Sequence, residues 1–199
     1  MYASAPCVHV VDDDVAVLKS LERLLRSAGF AVRTFSSSQD FLQQYDGGAP
    51  GCVVLDLAMP GLDGLQLQQA LAHCGEPCPV IFITGVGDVP TSVRAMKAGA
   101  VDFLTKPFDQ AQLLAAVRAA IDQDSAARAA RATRASIGVR VASLTTRERQ
   151  VMAHVVAGHL NKQIAADLGI AEKTVKVHRA RVMKKMGVGS VAELVRFLT

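Results

Sequence analysis

The first half of the chain contains four short apolar runs, and each run ends in a residue that can act on phosphate or bind a metal ion. These residues are Asp12 with Asp13, then Asp56, Thr84 and Lys106. Helical patterns separate the runs, and strands joined by helical crossovers lie parallel with their carboxyl ends at one edge of the sheet. We therefore expect three carboxylates, a hydroxyl and an ammonium to share one pocket.

A fifth strand is predicted at residues 31–35, after a helix that Asp14 caps and before the serines at 36–38. Five alternating β/α units within about 120 residues favour a doubly wound α/β fold with a five-stranded parallel sheet, as in flavodoxin-like proteins. The expected strand order, 2-1-3-4-5, places the first and third strands together at the point where such sheets bind ligands. Asp12, Asp13 and Asp56 would lie there.

The charge changes sign along the chain. Residues 1–124 contain 8 lysines and arginines against 14 aspartates and glutamates, a net charge of −6, whereas residues 125–199 contain 14 against 4, a net charge of +10. The acidic part suits a cation, and the basic part suits a polyanion such as DNA. We predict one domain at 1–124, an Ala/Arg-rich linker at 125–142 and a second domain at 143–199.

The linker composition favours a helix that continues the preceding one, predicted at residues 110–121. Its arginines form either a solvated face or a contact with the DNA backbone. They are Arg128, Arg131 and Arg134.

The sequence pattern predicts four helices in the second domain. Thr145 and Glu148 form a capping-box pattern, Asn161 is expected to cap the helix at 162–168, and Gly169 makes a turn before the long basic helix 172–186. Two helices joined by such a turn are typical of a helix-turn-helix DNA-binding domain.

If Val175 faces the core of this domain, the helical period places Val182 and Met186 beside it. The opposite, basic side of helix 172–186 is then free to enter the major groove or remains a solvated face. The candidate DNA contacts are Lys173, Thr174, Lys176, Val177, Arg181 and Lys184.

The residue types of the acidic pocket favour metal binding and phosphoryl transfer. Two carboxylates about 5 Å apart repel by roughly 3 kcal/mol at an effective dielectric constant near 20. A hard divalent cation such as Mg²⁺ relieves this repulsion, and Asp12 with Asp13 are candidates to bind it. Asp56 is the candidate nucleophile, with Lys106 and Thr84 placed to stabilise phosphoryl oxygens. The alternative is a set of aspartates that merely cap helices.

Residues 8–108 resemble the receiver domain of bacterial two-component response regulators. The matching motifs are Asp12-Asp13, Asp56 followed by Met59-Pro60-Gly61, Thr84-Gly85 and Lys106-Pro107-Phe108. Residues 84–108 resemble the FixJ subgroup in particular. Residues 144–198 resemble a LuxR-type helix-turn-helix domain, through Leu144-Thr145, Arg147-Glu148-Arg149, Asn161-Lys162 and Thr174-Val175-Lys176-Val177-His178. The whole chain is thus similar to response regulators of the FixJ/NarL type.

The resemblance implies that a sensor histidine kinase phosphorylates Asp56 and that Mg²⁺ is bound by Asp13, Asp56 and the backbone carbonyl of Ala58. It implies that Phe103 changes rotamer on activation. It also implies a homodimer formed through residues 91–121 that binds double-stranded promoter DNA as a transcriptional activator, with RNA polymerase as a further candidate partner. Such a protein is a regulator and not an enzyme.

Two positions depart from the FixJ pattern, with Ala58 where arginine is frequent and Val86 where histidine is frequent. Ala171 also occupies an expected helix N-cap where the LuxR family usually has serine. Two other functions stay open at this point. One is a haloacid-dehalogenase-type phosphatase, with Asp12, Asp13 and Asp14 on its nucleophile strand. The other is a DNA-binding protein whose receiver serves only as a dimerisation scaffold.

No apolar stretch approaches the roughly 18 residues of a membrane span, so we expect a soluble, cytoplasmic protein with no membrane partner. Its cysteines are then expected to be reduced thiols. A zinc site built from His73, Cys74 and Cys78 is a less favoured alternative, because no second ligand pair stands at a suitable spacing.

Overall fold

The computed structural model describes residues 5–45, 47–73, 78–85 and 89–198. Two compact units divide the chain, Met1–Arg128 and Ala129–Thr199, hereafter the first and second unit. Val86, Cys74 and the side chain of His73 lie outside the described residues, so the departure at position 86 and the zinc alternative are not tested.

The first unit is built on a five-stranded parallel sheet with the order β2-β1-β3-β4-β5. The strands are β1 (Cys7–Val11), β2 (Ala31–Phe35), β3 (Gly51–Asp56), β4 (Val80–Thr84) and β5 (Asp102–Thr105). The predicted strand order and the doubly wound α/β class are confirmed. Because β1 and β3 are neighbours, the residues that follow them meet at the expected edge.

Helices cover both faces of this sheet. They are α1 (Val15–Ser27), α2 (Ser38–Gln44), α3 (Gly64–His73), α4 (Val89–Lys97) and α5 (Gln110–Ala142). Helices α1 and α5 pack on the face that carries Val8, Val10 and Val54. Helices α2, α3 and α4 pack on the face of Val53 and Leu55. The strands alternate between two apolar layers, as a sheet buried on both sides requires.

Helix α5 continues well beyond the predicted end at residue 121, so the linker composition does form a helix. Arg128 is not part of a solvated face. Its Nε lies 2.7 Å from Oδ2 of the buried Asp124, and a guanidinium N–H donates to the carbonyl of Gly47 at 2.9 Å. Asp124 Oδ2 also accepts the N–H of Gly51 at 2.9 Å. The pair ties this helix to the start of β3.

The second unit contains the helices α6 (Thr146–Val156), α7 (Asn161–Leu168), α8 (Glu172–Met186) and α9 (Val191–Leu198). Their buried apolar side chains, among them Val151, Ile164, Val175 and Leu194, form one core with Leu144, which precedes α6. The predicted four-helix, all-α arrangement is confirmed.

The helix ends of this unit test the capping predictions. The box at α6 is present, because Thr145 Oγ1 accepts the Glu148 N–H at 3.3 Å and Glu148 Oε2 accepts the Thr145 N–H at 2.9 Å. The prediction for Asn161 is wrong. Helix α7 begins at Asn161, Leu160 is the N-cap residue, and Asn161 Oδ1 accepts an N–H of Arg179 at 2.6 Å.

Among the described residues, no helix combines the length and the apolar character needed to cross a membrane.

Candidate functional site

Three ionisable side chains meet at the carboxyl edge of the sheet. Lys106 Nζ lies 2.7 Å from Asp12 Oδ2 and 2.9 Å from Asp56 Oδ1. Asp12 follows β1, Asp56 ends β3 and Lys106 follows β5. Both carboxylates are buried, with 1% of Asp12 and 5% of Asp56 exposed. One ammonium therefore bridges two buried carboxylates, which leaves the trio with a net negative charge.

Backbone N–H groups orient the same two carboxylates. Asp12 Oδ1 accepts the N–H of Asp14 at 2.9 Å, and Asp56 Oδ2 accepts the N–H of Ala58 at 2.9 Å. Each aspartate thus bonds the backbone two residues ahead, a short-range turn that aspartate forms readily. Both side chains are fixed before any ligand binds.

Burial and charge act against each other in this pocket. Burial raises the pKa of Asp12, and the hydrogen bonds from Lys106 and Asp14 only partly offset this effect. Burial lowers the pKa of Lys106, but its contacts with Asp12 and Asp56 outweigh burial and raise it overall. Lys106 is held as an ammonium, whereas a negative charge on Asp12 is opposed by the loss of solvent.

Thr84 and Phe103 lie on the strands next to this trio. Thr84 is fully buried and follows Ile83, which is paired with Asp56 in the sheet. Its carbonyl accepts the N–H of Lys106 at 2.7 Å. Phe103 is half-buried and sits beside Phe82, with ring centroids 6.2 Å apart. Both residues are therefore placed on strands adjoining the acidic pocket, as the sequence predicted.

The residues present fit a hydrated Mg²⁺ ion. Two buried carboxylates share one ammonium, and such a cluster of hard oxygen donors gains from a second cation. Asp13 and Ala58 are both exposed where they adjoin Asp12 and Asp56, so an ion that keeps part of its water shell can approach them.

Helix α8 of the second unit presents the candidate nucleic-acid interface. Val175, Val182 and Met186 are buried in the core, as the helical period predicted. All six candidate DNA contacts are exposed, namely Lys173, Thr174, Lys176, Val177, Arg181 and Lys184. This face places four cations and one apolar side chain in solvent, a composition suited to phosphates and base edges.

Contacts with neighbouring elements fix the position of this helix. Gly169, at φ +63°, makes the turn between α7 and α8. Arg179 on α8 donates to Asn161 on α7, and Lys185 Nζ lies 2.7 Å from Oε2 of Glu148 on α6. Glu148 is buried, and the hydrogen bond from Lys185 is the main reason that its pKa falls to about 2.

Sequence reasoning missed two of these arrangements. The order of strands placed Lys106 at the correct edge, but no local pattern indicated that it would bridge Asp12 and Asp56. The pair of Glu148 with Lys185 joins residues far apart in the chain, and the capping box was the only signal at Glu148.

Comparisons with known proteins cover nearly the whole chain. A family model described as a response regulator receiver domain matches residues 8–118, and one described as bacterial regulatory proteins of the LuxR family matches residues 142–198. The transcriptional regulatory protein FixJ of Azorhizobium caulinodans is 50% identical over 192 residues, which are 95% of this chain and 90% of that protein. The response regulator protein TodT of Pseudomonas putida is 46% identical over 192 residues, 96% of this chain and 85% of that protein.

Solved structures agree with these matches. A low-resolution structure of the response regulator StyR has a TM-score of 0.90 at 47% identity and covers 98% of both chains. Full-length FixJ from B. japonicum has a TM-score of 0.61 at 47% identity and covers 96% of this chain and 95% of its own.

These relatives are regulators along their matched length, so the expectation of a non-enzymatic protein is confirmed and the phosphatase alternative is wrong. A receiver domain implies a kinase partner, and a LuxR-type domain implies DNA binding. The chain therefore belongs to the two-component response regulators of the FixJ type, transcription regulators that join a receiver domain to a LuxR-type DNA-binding domain.

Proposed function

We propose that this regulator is switched by transfer of a phosphoryl group from a sensor histidine kinase to Asp56, and that the phosphorylated form dimerises on promoter DNA and activates transcription. The observation that carries the proposal is the position of Lys106 Nζ, 2.9 Å from Asp56 Oδ1 and 2.7 Å from Asp12 Oδ2. A cation held against a buried carboxylate is what a phosphoryl acceptor needs, because negative charge accumulates there during transfer.

The proposed chemistry is an attack by a carboxylate oxygen of Asp56 on phosphorus, with the kinase histidine as the leaving group. The product is an acyl phosphate. Lys106 would contact one phosphoryl oxygen, and the Thr84 hydroxyl would donate to another after moving toward the pocket.

Mg²⁺ is the proposed cofactor, held by Asp13, Asp56 and the backbone carbonyl of Ala58, with Asp12 as a neighbouring carboxylate. When bound, it would neutralise charge on the phosphoryl oxygens. The exposure of Asp13 and Ala58 supports this assignment.

Phosphorylation would supply enough free energy to shift the receiver between two conformations. A phosphoryl group adds about −1.5 to −2 charge at neutral pH. Two charge-assisted hydrogen bonds at roughly 1.5–3 kcal/mol each approach the 5.5 kcal/mol that reverses a 1:99 equilibrium. We propose that the inward movement of Thr84 draws the half-buried ring of Phe103 with it and so alters the neighbouring surface of the receiver.

That surface, within residues 91–121, is the proposed dimer interface. Helix α4 supports this assignment, because Val93 and Met96 are 43% and 46% exposed although both are apolar. Exposed apolar side chains grouped on one helix favour association with a partner surface.

For the DNA-bound form we propose that paired α8 helices read half-sites about one DNA turn apart. The six candidate DNA contacts on α8 would touch the duplex, and RNA polymerase would be the partner at activated promoters. We further propose the domain limits 1–124, 125–142 and 143–199 and a cytoplasmic location, where DNA is accessible.

The test compares wild type with Asp56→Asn after incubation with Mg²⁺ and acetyl phosphate. Intact mass reports phosphoryl incorporation, and binding to mixed-sequence duplex DNA reports the output. We expect incorporation and a DNA affinity at least tenfold higher for wild type alone. If both variants bind DNA equally well with and without the donor, the receiver is only a scaffold and the switch proposal fails.

A further inference from the structure

A group of three potential metal ligands lies in the second unit, on residues outside α8. The imidazoles of His154 and His159 and the carboxylate of Asp167 each offer one ligand atom, and these atoms all lie within 4.8 Å of one another. The Nδ1 atoms of the histidines are 2.8 Å apart. Asp167 Oδ2 lies 3.7 Å from Nδ1 of His154 and 3.8 Å from Nδ1 of His159.

The backbone explains why the two histidines meet. Helix α6 ends in a Schellman motif, in which the Gly158 N–H donates to Val155 and the His159 N–H donates to His154. Gly158 adopts φ +83°, a left-handed conformation that glycine tolerates and other residues resist. This motif folds the residue after the glycine back over the last turn of its helix, where an apolar pair commonly makes the contact. Here the pair consists of two imidazoles.

We propose that His154, His159 and Asp167 bind a divalent transition-metal ion, with Zn²⁺ as the favoured ion. Imidazole and carboxylate are established zinc ligands, at about 2.0–2.2 Å from the ion. Ligand atoms at about 2.1 Å from a tetrahedral centre lie about 3.4 Å from one another. The three observed separations fall on both sides of that value, so small side-chain rotations suffice to place all three atoms around one ion.

The protonation states are compatible with this assignment. At 2.8 Å, one Nδ1 carries a proton and the other accepts it, so both rings can be neutral. On metal binding, the ring protonated at Nδ1 adopts the tautomer that carries its proton on Nε2, and no net proton release is required. Asp167 supplies one negative charge to the dication.

The site is open to solvent and spans three segments of the unit. The side chains of His154, His159 and Asp167 are 25%, 42% and 50% exposed, so an ion can enter and water can complete its coordination. His154 lies in the last turn of α6, His159 in the following loop and Asp167 in the last turn of α7. Bound metal would therefore clamp α6 to the first helix of the helix-turn-helix pair.

The experiment uses the full, untagged chain in excess Mg²⁺, which competes with Zn²⁺ for the oxygen-rich pocket of the receiver. Calorimetric titration with Zn²⁺ compares wild type with His159→Gln, with Asp167→Asn and with the double variant His154→Gln/His159→Gln. His178→Gln is the matched control, since it removes a half-buried imidazole of the same unit outside the group. All substituted ligands are partly exposed, and circular dichroism verifies that each variant is folded.

We expect wild type and His178→Gln to bind one more Zn²⁺ per chain than the double variant, and each single variant to bind it at least tenfold more weakly. Co²⁺ gives an independent signal, because its visible absorption distinguishes nitrogen and oxygen ligands from cysteine thiolates. The proposal is overturned if the double variant binds as much Zn²⁺ as wild type, or if the extra Co²⁺ spectrum has thiolate character.

Discussion

In the first unit two buried carboxylates share a single ammonium, whereas in the second unit the buried carboxylate of Glu148 has an ammonium of its own. Each of the three carboxylates also accepts a backbone N–H. The exposed charges of the second unit are mostly positive, and the exposed side of α8 carries four of these cations. Asp12 has a raised pKa and Glu148 a lowered one.

The two units therefore differ in how completely their buried carboxylates are neutralised. The acidic trio is under-neutralised, so a cation or a rearrangement that supplies further donors changes its free energy strongly. The Glu148 pair is satisfied and serves to hold α6 against α8. Charges that face a polyanion need no burial, because the phosphates themselves provide the partner.

The largest difference in the free energy of unfolding is expected when alanine replaces one glycine in each unit. A Cβ on Gly51 would lie 1.9 Å from the carbonyl oxygen of Cys7 in the paired strand, whereas nothing lies within 4 Å of one added to Gly138 in α5. We expect Gly51→Ala to lower the free energy of unfolding by about 3 kcal/mol. Gly138→Ala should raise it by about 0.5–1 kcal/mol, because alanine favours a helix. Urea unfolding measures both, and equal effects would contradict the difference in packing.

The next effect concerns the unbalanced trio. Lys106→Met retains the length of the side chain but leaves Asp12 and Asp56 to repel each other, which should cost about 2 kcal/mol of stability without Mg²⁺. The pKa of Asp12 should rise further, so the loss is largest above that pKa and shrinks as pH falls through it. Added Mg²⁺ should recover part of the loss. Lys97→Met, at an exposed lysine, is the control, and a pH-independent loss would be the contrary result.

The balanced pair should behave in the opposite way. Lys185 and the Thr145 N–H lower the pKa of Glu148 from an ordinary 4.5 to about 2. The stabilisation is therefore complete above pH 4.5 and is lost as pH falls toward 2. Glu148→Gln should lower the thermal midpoint of the second unit by a few degrees at pH 7 and remove this acid dependence. Glu172→Gln, at an exposed glutamate, should leave both the midpoint and the acid dependence nearly unchanged.

The smallest effect is expected at the N-terminus of α8. Ala171 is the N-cap residue, with extended backbone angles and no side-chain hydrogen bond. Ala171→Ser should stabilise the second unit by about 0.5 kcal/mol, since the serine oxygen can accept an N–H of the first turn. Ala180→Ser, in the middle of the same helix, should stabilise nothing. If both serines raise the thermal midpoint equally, the gain does not come from capping.

Local patterns predicted most of the fold. Apolar runs and helical periods placed the strands, and the alternation of β and α elements predicted the strand order. Once Val175 was placed in the core, the burial of Val182 and Met186 followed from the helical period. Hydrogen bonds between residues close in the chain, such as those of the Thr145 and Glu148 capping box, could also be predicted from the sequence.

Contacts between distant residues were not predictable in this way. Asparagine often caps helices, but the side-chain oxygen of Asn161 accepts a hydrogen bond from the guanidinium of Arg179 on α8. Helix α7 therefore starts at Asn161, one residue earlier than expected. From the sequence, Arg128 resembled a solvated or DNA-binding cation, yet it forms an ion pair with the buried Asp124. Such outcomes depend on which surfaces meet after folding, and neither spacing nor propensity contains that information.

The most direct test of the central claim is the self-association constant of the chain, measured by sedimentation equilibrium in Mg²⁺ with and without acetyl phosphate. We expect phosphorylation of wild type to strengthen dimerisation at least tenfold and Asp56→Asn to show no change. An unchanged constant for wild type that carries the phosphoryl group, or an equal shift in Asp56→Asn, would contradict the account.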